Sequence, residues 1–157
     1  MGTTTAPYPR GHGHLAINYA TVTTYLVPVG RALLAAIFLL AAPGHFKRET
    51  IEFAASQGVP LASIAVPLSG ILALVGGLSV LLGYHARVGA ALLVLFLVPV
   101  TLMMHAFWNI ADPGMAQMQQ AMFMKNLGLL GGALLIAHFG AGPISLDARR
   151  ERHQVLP

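Results

Sequence analysis

Hydrophobic residues gather in four long stretches that short polar islands separate. The apolar stretches run over about residues 25–42, 61–82, 86–108 and 121–139. A helix needs roughly 20 apolar residues to cross the hydrocarbon core of a bilayer, and each stretch approaches that length. The pattern therefore predicts an all-α fold, an integral membrane four-helix bundle.

The flanking segments divide the chain further. Residues 1–24 are rich in Gly, Pro and Thr, a composition that buries too little apolar surface to fold alone, and they are predicted to be a cytoplasmic N-terminal tail. Residues 25–147 form the predicted four-helix domain, and residues 148–157 a charged cytoplasmic C-terminal tail. A cleaved signal ending at Ala42 is the alternative for the first stretch, but Arg31 and the long leader favour a retained helix.

Composition supports a lipid environment. The 157 residues are 56% hydrophobic and 9% charged, whereas a soluble domain carries about a quarter of its residues as charged side chains. The net charge of +4 does not indicate a nucleic-acid partner, because the basic residues flank apolar segments. The absence of cysteine excludes disulfides and thiolate metal sites.

Basic residues also predict the orientation. Lys and Arg accumulate on the cytoplasmic side of a membrane, and six fall on the side of the termini against three on the other. The six are Arg10, Arg31, Arg87, Arg149, Arg150 and Arg152, and the three are Lys47, Arg48 and Lys125. We therefore expect a multi-pass membrane protein with both termini on the cytoplasmic side.

Helical spacing predicts which residues face the interior of the bundle. Small residues let membrane helices approach closely, and each apolar stretch carries small residues four positions apart, on one side of the helix. In the first stretch, one stripe contains Arg31, Ala35, Phe38, Ala42 and His45. In the fourth, the spacing of Lys125 to Gly128 and Gly132 predicts that its ammonium group points inward.

Polar residues at the ends of three stretches predict a ligand site near the outer face. Ionisable groups at membrane depth are costly and therefore suggest function. The candidate ligand-binding residues are His45, Lys47, His105, Trp108, Gln120, Lys125 and Asn126. Snorkelling of Lys125 and interfacial anchoring by His105 and Trp108 are the simpler alternatives. A haem iron shared by His45 and His105 is a further alternative; no metal site is predicted.

A second group of polar residues lies near the inner face. Arg31, His85, Arg87 and His138 are interpreted as contacts with lipid phosphates.

Several short motifs resemble the DoxX-like family of small bacterial four-helix membrane proteins. They are Gly30-Arg31-Ala32-Leu33-Leu34, Gly44-His45-Phe46-Lys47, Gly58-Val59-Pro60, Gly76-Gly77-Leu78, His105-Ala106-Phe107-Trp108 and Phe123-Met124-Lys125-Asn126, followed by residues 142–147. The resemblance covers about residues 25–147 and implies a multi-pass protein of the bacterial cytoplasmic (inner) membrane. It also implies relatives that are subunits of quinone-linked oxidoreductases or accessory subunits of membrane redox complexes. Ala73 stands where that family often has a glutamate, so the resemblance does not extend to proton-coupled chemistry.

The leading hypothesis is a subunit of a membrane redox assembly that binds a quinone or similar lipid-like molecule near the outer face. Lys125 and His105 would donate hydrogen bonds, Asn126 and Gln120 would orient the head, and Trp108 would cover the ring. No covalent cofactor is expected, and partner membrane subunits or redox proteins would carry the electrons. The alternative is a non-catalytic subunit that packs against a larger membrane complex. A small-solute transporter is a third class, which the absence of a clear inverted repeat disfavours.

Overall fold

The chain folds into helices joined by short connections. The computed structural model describes the backbone of residues 19–155 and the side chains of residues 24–153. The helices in this range are α1 (Tyr19–Ala41), α2 (Arg48–Ser56), α3 (Ala62–Leu82), α4 (Ala86–Met104), α5 (Pro113–Phe139) and α6 (Leu146–Val155), with 3₁₀ turns at Ala42–Phe46 and Phe107–Asn109. No strand occurs between residues 19 and 155, and the all-α prediction is confirmed.

Four helical stretches of the described chain are long and apolar enough to cross a membrane. They are Thr24–Phe46, Ala62–Leu82, Ala86–Asn109 and Pro113–Phe139. Many of their Leu, Ile and Val side chains are exposed on the outside of the bundle, as a surface in contact with hydrocarbon requires. The predicted membrane bundle is confirmed.

Several helix ends differ from the prediction, including that of α4, which ends at Met104 and not at residue 108. Helix α1 begins at Tyr19, so residues 19–24 of the predicted tail are helical, and α6 covers most of the predicted C-terminal tail. Helix α5 begins at Pro113, about two turns before the predicted start, because Oδ1 of Asp112 accepts the N–H of Met115 at 2.7 Å and caps the helix. Residues 1–18 and 156–157 lie outside the described residues, and the cytoplasmic location of both tails stays a prediction.

The spans pack in the order α1, α3, α4, α5. Helix α3 lies between α1 and α4, α4 lies between α3 and α5, and α1 meets α5 at few residues. The predicted stripe of the first span is confirmed for Arg31, Ala35, Phe38 and Ala42, which are buried, whereas His45 at its end is half-buried. The short helix α2 packs its Ala54 against the start of α3. The core therefore runs along the inner faces of all four spans, and α2 covers one end.

Glycine allows the closest approach, between α3 and α4. A Cβ added to Gly89 would lie 2.3 Å from Oγ of Ser79, and one added to Gly76 would lie 2.9 Å from the carbonyl oxygen of Gly89. Both distances are too short for real contacts. The two backbones therefore touch at a point that admits no side chain.

We predict that Gly89→Ala lowers the free energy of unfolding by about 1–3 kcal/mol, because the added methyl group overpacks the α3–α4 contact. The measurement is an SDS titration of purified protein followed by circular dichroism. Gly131→Ala is the matched control, since a Cβ at Gly131 meets nothing within 4 Å. Equal stability of the two variants would contradict the packing assigned to Gly89.

Candidate functional site

A cavity of about 400 Å³ opens between α2, α3 and α4. Its volume is in the range of about 300–1,000 Å³ that is common for small-molecule sites. The wall is largely apolar, formed by Ala54, Val59, Pro60, Ala65, Val66, Leu68, Leu72, Leu95, Phe96, Pro99, Val100, Met103 and Met104. Polar side chains enter the wall at His45, Thr50 and Ser69. An apolar slot with a few polar groups suits a lipid-like molecule that carries a small polar head.

His45 reaches this cavity because α1 stops early. Pro43 lies in the first turn of the 3₁₀ segment that follows α1, and the segment brings the imidazole ring edge-on to Phe96, with ring centroids 5.5 Å apart. Nδ1 lies 3.2 Å from the carbonyl oxygen of Ala41. A carbonyl oxygen only accepts hydrogen bonds, so Nδ1 carries the proton and Nε2 of the neutral ring has a free lone pair. His45 therefore offers a hydrogen-bond acceptor.

Gly70 makes the position of His45 sterically acceptable. A Cβ added to Gly70 would lie 2.7 Å from the Cβ of His45 and 3.2 Å from the ring of Phe46. The 3₁₀ turn thus rests directly on the backbone of α3. Any side chain at residue 70 would displace the imidazole from its place.

The remaining polar groups of the cavity differ in what they can offer. Oγ of Ser69 donates to the carbonyl oxygen of Val66 at 2.7 Å, which leaves its lone pairs free. The hydroxyl of Thr50 makes no hydrogen bond to another described residue and can donate. Pro99 has no N–H, so the carbonyl of Leu95 lacks its usual helical donor. Among its side chains, the cavity therefore offers the hydroxyl of Thr50 as a free donor, and Oγ of Ser69 and Nε2 of His45 as acceptors.

The predicted site residues at the ends of α4 and α5 form a separate group. Nδ1 of His105 donates to Oε1 of Gln119 at 2.7 Å, whereas the predicted Gln120 is exposed. The ring of Trp108 is 55% exposed and meets Phe123 edge-on at 5.7 Å. His105 and Trp108 thus contact the start of α5, and neither lines the cavity.

The predicted basic and amide residues also lie elsewhere. Lys47 is exposed at the start of α2. Lys125 is exposed, and its ammonium group lies 3.3 Å from Sδ of Met122, so the prediction that it points into the bundle is wrong. Asn126 is 6% exposed, and its amide forms no hydrogen bond within the described chain. The inward face of α5 carries Asn126 and not Lys125.

The predicted ligand-binding residues lie at different levels along the helices. His45 lies beside Phe96, which precedes His105 by nine residues, or about 13 Å along α4 at 1.5 Å per residue. Lys125 follows Gln119 by six residues, or about 9 Å along α5. The predicted convergence on one level is therefore wrong, and His45 and His105 do not meet around one iron. Of the predicted ligand-binding residues, His45 is the one that lines the cavity.

At the opposite end of the bundle lies a polar centre around Arg31, which does not have the contact with lipid phosphate that the sequence predicted, because its guanidinium is bonded within the protein. Arg31 is 4% exposed; its guanidinium donates to the carbonyl oxygen of Ala141 and, at 2.7 Å, to that of Ile144. Its Nε has no hydrogen-bond partner among the described residues. The sequence signals this centre by an arginine in phase with the buried stripe of α1. Its partners are backbone carbonyls, which a sequence pattern does not reveal.

Asp147 continues this centre toward α4. Its carboxylate accepts the backbone N–H of His85 at 2.8 Å and of Ala86 at 3.0 Å, which caps the first turn of α4. Nη1 of Arg150 lies 2.9 Å from Nε2 of His85. The loop after α5 and helix α6 are thereby attached to the turn between α3 and α4.

Comparison with known proteins places this architecture in a family. The family model described as SURF4 family matches residues 17–153, a range that includes nearly all of the helices described above. The chain belongs to the SURF4 family. The match to this model corrects the resemblance to DoxX-like proteins inferred from the short motifs, which were too loose to separate the two. No solved structure matches the chain.

Two relatives of this SURF4-family protein are known from Escherichia coli strain K12. The inner membrane protein YphA is 27% identical over 100 residues, which cover 64% of this chain and 71% of the relative. The inner membrane protein YqjF is 32% identical over 123 residues, which cover 77% of this chain and 88% of the relative. With its four spans, the protein is a multi-pass protein of the bacterial inner membrane.

We predict that Arg31→Met frees the loop after α5 in this SURF4-family protein, because the carbonyls of Ala141 and Ile144 lose a charged donor. Hydrogen bonds to charged groups contribute about 1.5–3 kcal/mol each. Amide hydrogen exchange at residues 141–148 should therefore become faster. Arg149→Met is the control, since Arg149 is exposed on α6; unchanged exchange in Arg31→Met would contradict the anchoring role.

Proposed function

We propose that this SURF4-family protein binds a quinol or quinone, or a lipid-like molecule with the same hydrogen-bonding head, in the cavity between α2, α3 and α4. The observation that carries the proposal is His45, which has a free Nε2 lone pair and lines a largely apolar cavity. A quinone needs an apolar slot and a few polar partners. In this proposal the cavity replaces the ligand site that the sequence predicted near the outer face.

The polar groups suit a head that both donates and accepts. A quinol hydroxyl would donate to Nε2 of His45, and the hydroxyl of Thr50 would donate to an oxygen of the head. Protonation of His45 would turn Nε2 into a donor suited to a quinone carbonyl. The isoprenoid tail would leave between α3 and α4 past Leu68 and Leu95, which line the cavity and are exposed on the outside of the bundle.

We predict that His45→Leu lowers the amount of quinone that co-purifies with the protein about five- to tenfold, the value expected for one hydrogen bond in an apolar site. Gly70→Ala should have a similar effect, because its methyl group displaces the imidazole. The measurement is liquid chromatography of quinones extracted from gently purified protein, per mole of protein.

His138→Leu is the matched control for this experiment. His138 is exposed near the end of α5, with its ring against Phe139, and does not line the cavity. Quinone recovered equally from His45→Leu and His138→Leu would exclude the cavity as the binding site. Absence of quinone from every preparation, the unaltered protein included, would reject the proposed ligand.

We further propose that the chain holds the quinol for a redox protein in the same membrane. The partner would supply the flavin or metal that takes up the electrons, and this chain would supply binding and a proton acceptor at His45.

A non-catalytic subunit that packs against a larger membrane complex is the second candidate function. Gly30, Gly128 and Gly131 favour it, because a Cβ on any of them would meet nothing within 4 Å, which leaves room for a neighbouring helix.

The proposal includes an orientation, with the cavity end facing the periplasm. The opposite end carries Arg31, Arg87, Arg149, Arg150 and Arg152 against two carboxylates, Asp147 and Glu151. The cavity end carries Lys47 and Arg48 against Glu49, Glu52 and Asp112. The excess of arginine at the end with α6 favours the cytoplasm for that end.

We predict that Ala111→Cys reacts with a membrane-impermeant maleimide in cells with a permeabilised outer membrane, whereas Arg152→Cys reacts only after lysis. The chain has no native cysteine, so each variant reports one position. Residue 111 lies in the loop before α5 and residue 152 in α6, and both are exposed. Labelling of both variants before lysis would reject the orientation.

A further inference from the structure

A second cavity, of about 770 Å³, lies at the end of the bundle that carries α6. It opens between the start of α4, the end of α5, the loop after α5 and α6. Arg87, Arg150 and His85 line it together with Val88 and Phe139. This cavity is separate from the one beside His45, and the inference below does not depend on the proposed function.

The carboxylates of this cavity leave its arginines unpaired. Asp147 accepts the backbone N–H groups of His85 and Ala86, so it caps α4 and does not bind a guanidinium at the surface. Glu151 lines the cavity and is exposed, and it makes no ion pair within the described chain. Arg87 forms no hydrogen bond or ion pair to a described residue.

Arg150 is held in place by uncharged groups. Its guanidinium lies over the ring of Tyr84, 5.4 Å from the centroid, and its Nη1 lies 2.9 Å from Nε2 of His85. Arginine only donates, so Nε2 of His85 accepts and Nδ1 carries a proton that is free to donate. Arg87, Arg150 and His85 thus present donors toward one cavity, and none of these three side chains is paired with a carboxylate within the described chain.

The apolar part of the cavity decides what kind of anion fits. Val88 is 60% exposed and Phe139 is 72% exposed, and both lie at the ends of membrane-spanning helices next to Arg87. A free inorganic anion gains nothing from these side chains. A phospholipid places its phosphate beside the cations and its glycerol and acyl chains beside the apolar pair.

We propose that this cavity binds the headgroup of an anionic phospholipid, with Arg87 and Arg150 on the phosphate. Arg31, which the sequence grouped with the phosphate contacts, is excluded from this role because its guanidinium is bonded to the loop carbonyls. Arg87 and Arg150 line this cavity, whereas the neighbouring Arg149 and Arg152 do not.

Native mass spectrometry of the purified full chain tests the proposal, with dihexanoyl-phosphatidylglycerol, dihexanoyl-phosphatidylcholine and inorganic phosphate as probes. The double variant Arg87→Gln with Arg150→Gln should bind the phosphatidylglycerol at least about tenfold more weakly than the unaltered chain. The double variant Arg149→Gln with Arg152→Gln removes the same charge outside the cavity and should change the apparent Kd less than about threefold.

Three results would overturn the proposal. Equal weakening in both double variants would mean that surface charge attracts the lipid without a site. Equal affinity for phosphatidylglycerol and phosphatidylcholine would reject an anionic head, and inorganic phosphate bound as tightly as phosphatidylglycerol would reject the lipid. If the double variant folds poorly, Arg87→Gln alone serves as the test, since it breaks no hydrogen bond or ion pair between described residues. Unchanged binding by Arg87→Gln would then overturn the proposal.

Discussion

The guanidinium of Arg31 holds together the end of the bundle that carries α6. Lipid offers no hydrogen bonds, so polar backbone groups at membrane depth must find partners within the protein. Arg31 donates to the carbonyls of Ala141 and Ile144, which lie in the loop between α5 and α6. The loop held in this way places Asp147 at the start of α4, where it caps the helix. One side chain of the first span thus fixes the last segment of the chain onto the second and third spans.

Unequal helix ends create the cavity at the other end. The 3₁₀ turn after α1 rests on Gly70, which is eight residues, or about 12 Å, after the start of α3. Helices α3 and α4 continue beyond this level, and the nine-residue helix α2 covers α3 there. Because α2 is short, it closes the end without filling the space beneath it. The cavity is therefore a consequence of where α1 stops, and Pro43 marks that position in the sequence.

The sequence predicted the spans and the buried stripe of α1, because both depend on local hydrophobic spacing. It failed for α5, which is apolar on all sides over much of its length, so that spacing alone does not choose the inward face. The face with Lys125 and Gly128 was taken as inward, whereas the buried residue is Asn126. The cap at Asp112 was also missed, so the helix was predicted to begin at residue 121, four residues before Lys125, whereas it begins at Pro113. The partners of Arg31 were beyond prediction because they are backbone groups of a distant loop.

The chemistry of the two cavities separates the ligands proposed for them. Apart from His45, no ionisable side chain lines the cavity under α2, so a phosphate placed there would lose its hydration without a countercharge. Arg87 and Arg150 line the cavity beside α6. A neutral headgroup carries no charge to attract these guanidinium groups, whereas an anionic headgroup does. A head that forms hydrogen bonds without charge is therefore favoured at one end, and an anionic head at the other. Both cavities open beside helix ends, where an amphiphile already has its head at the right depth, so neither ligand has to leave the bilayer to bind.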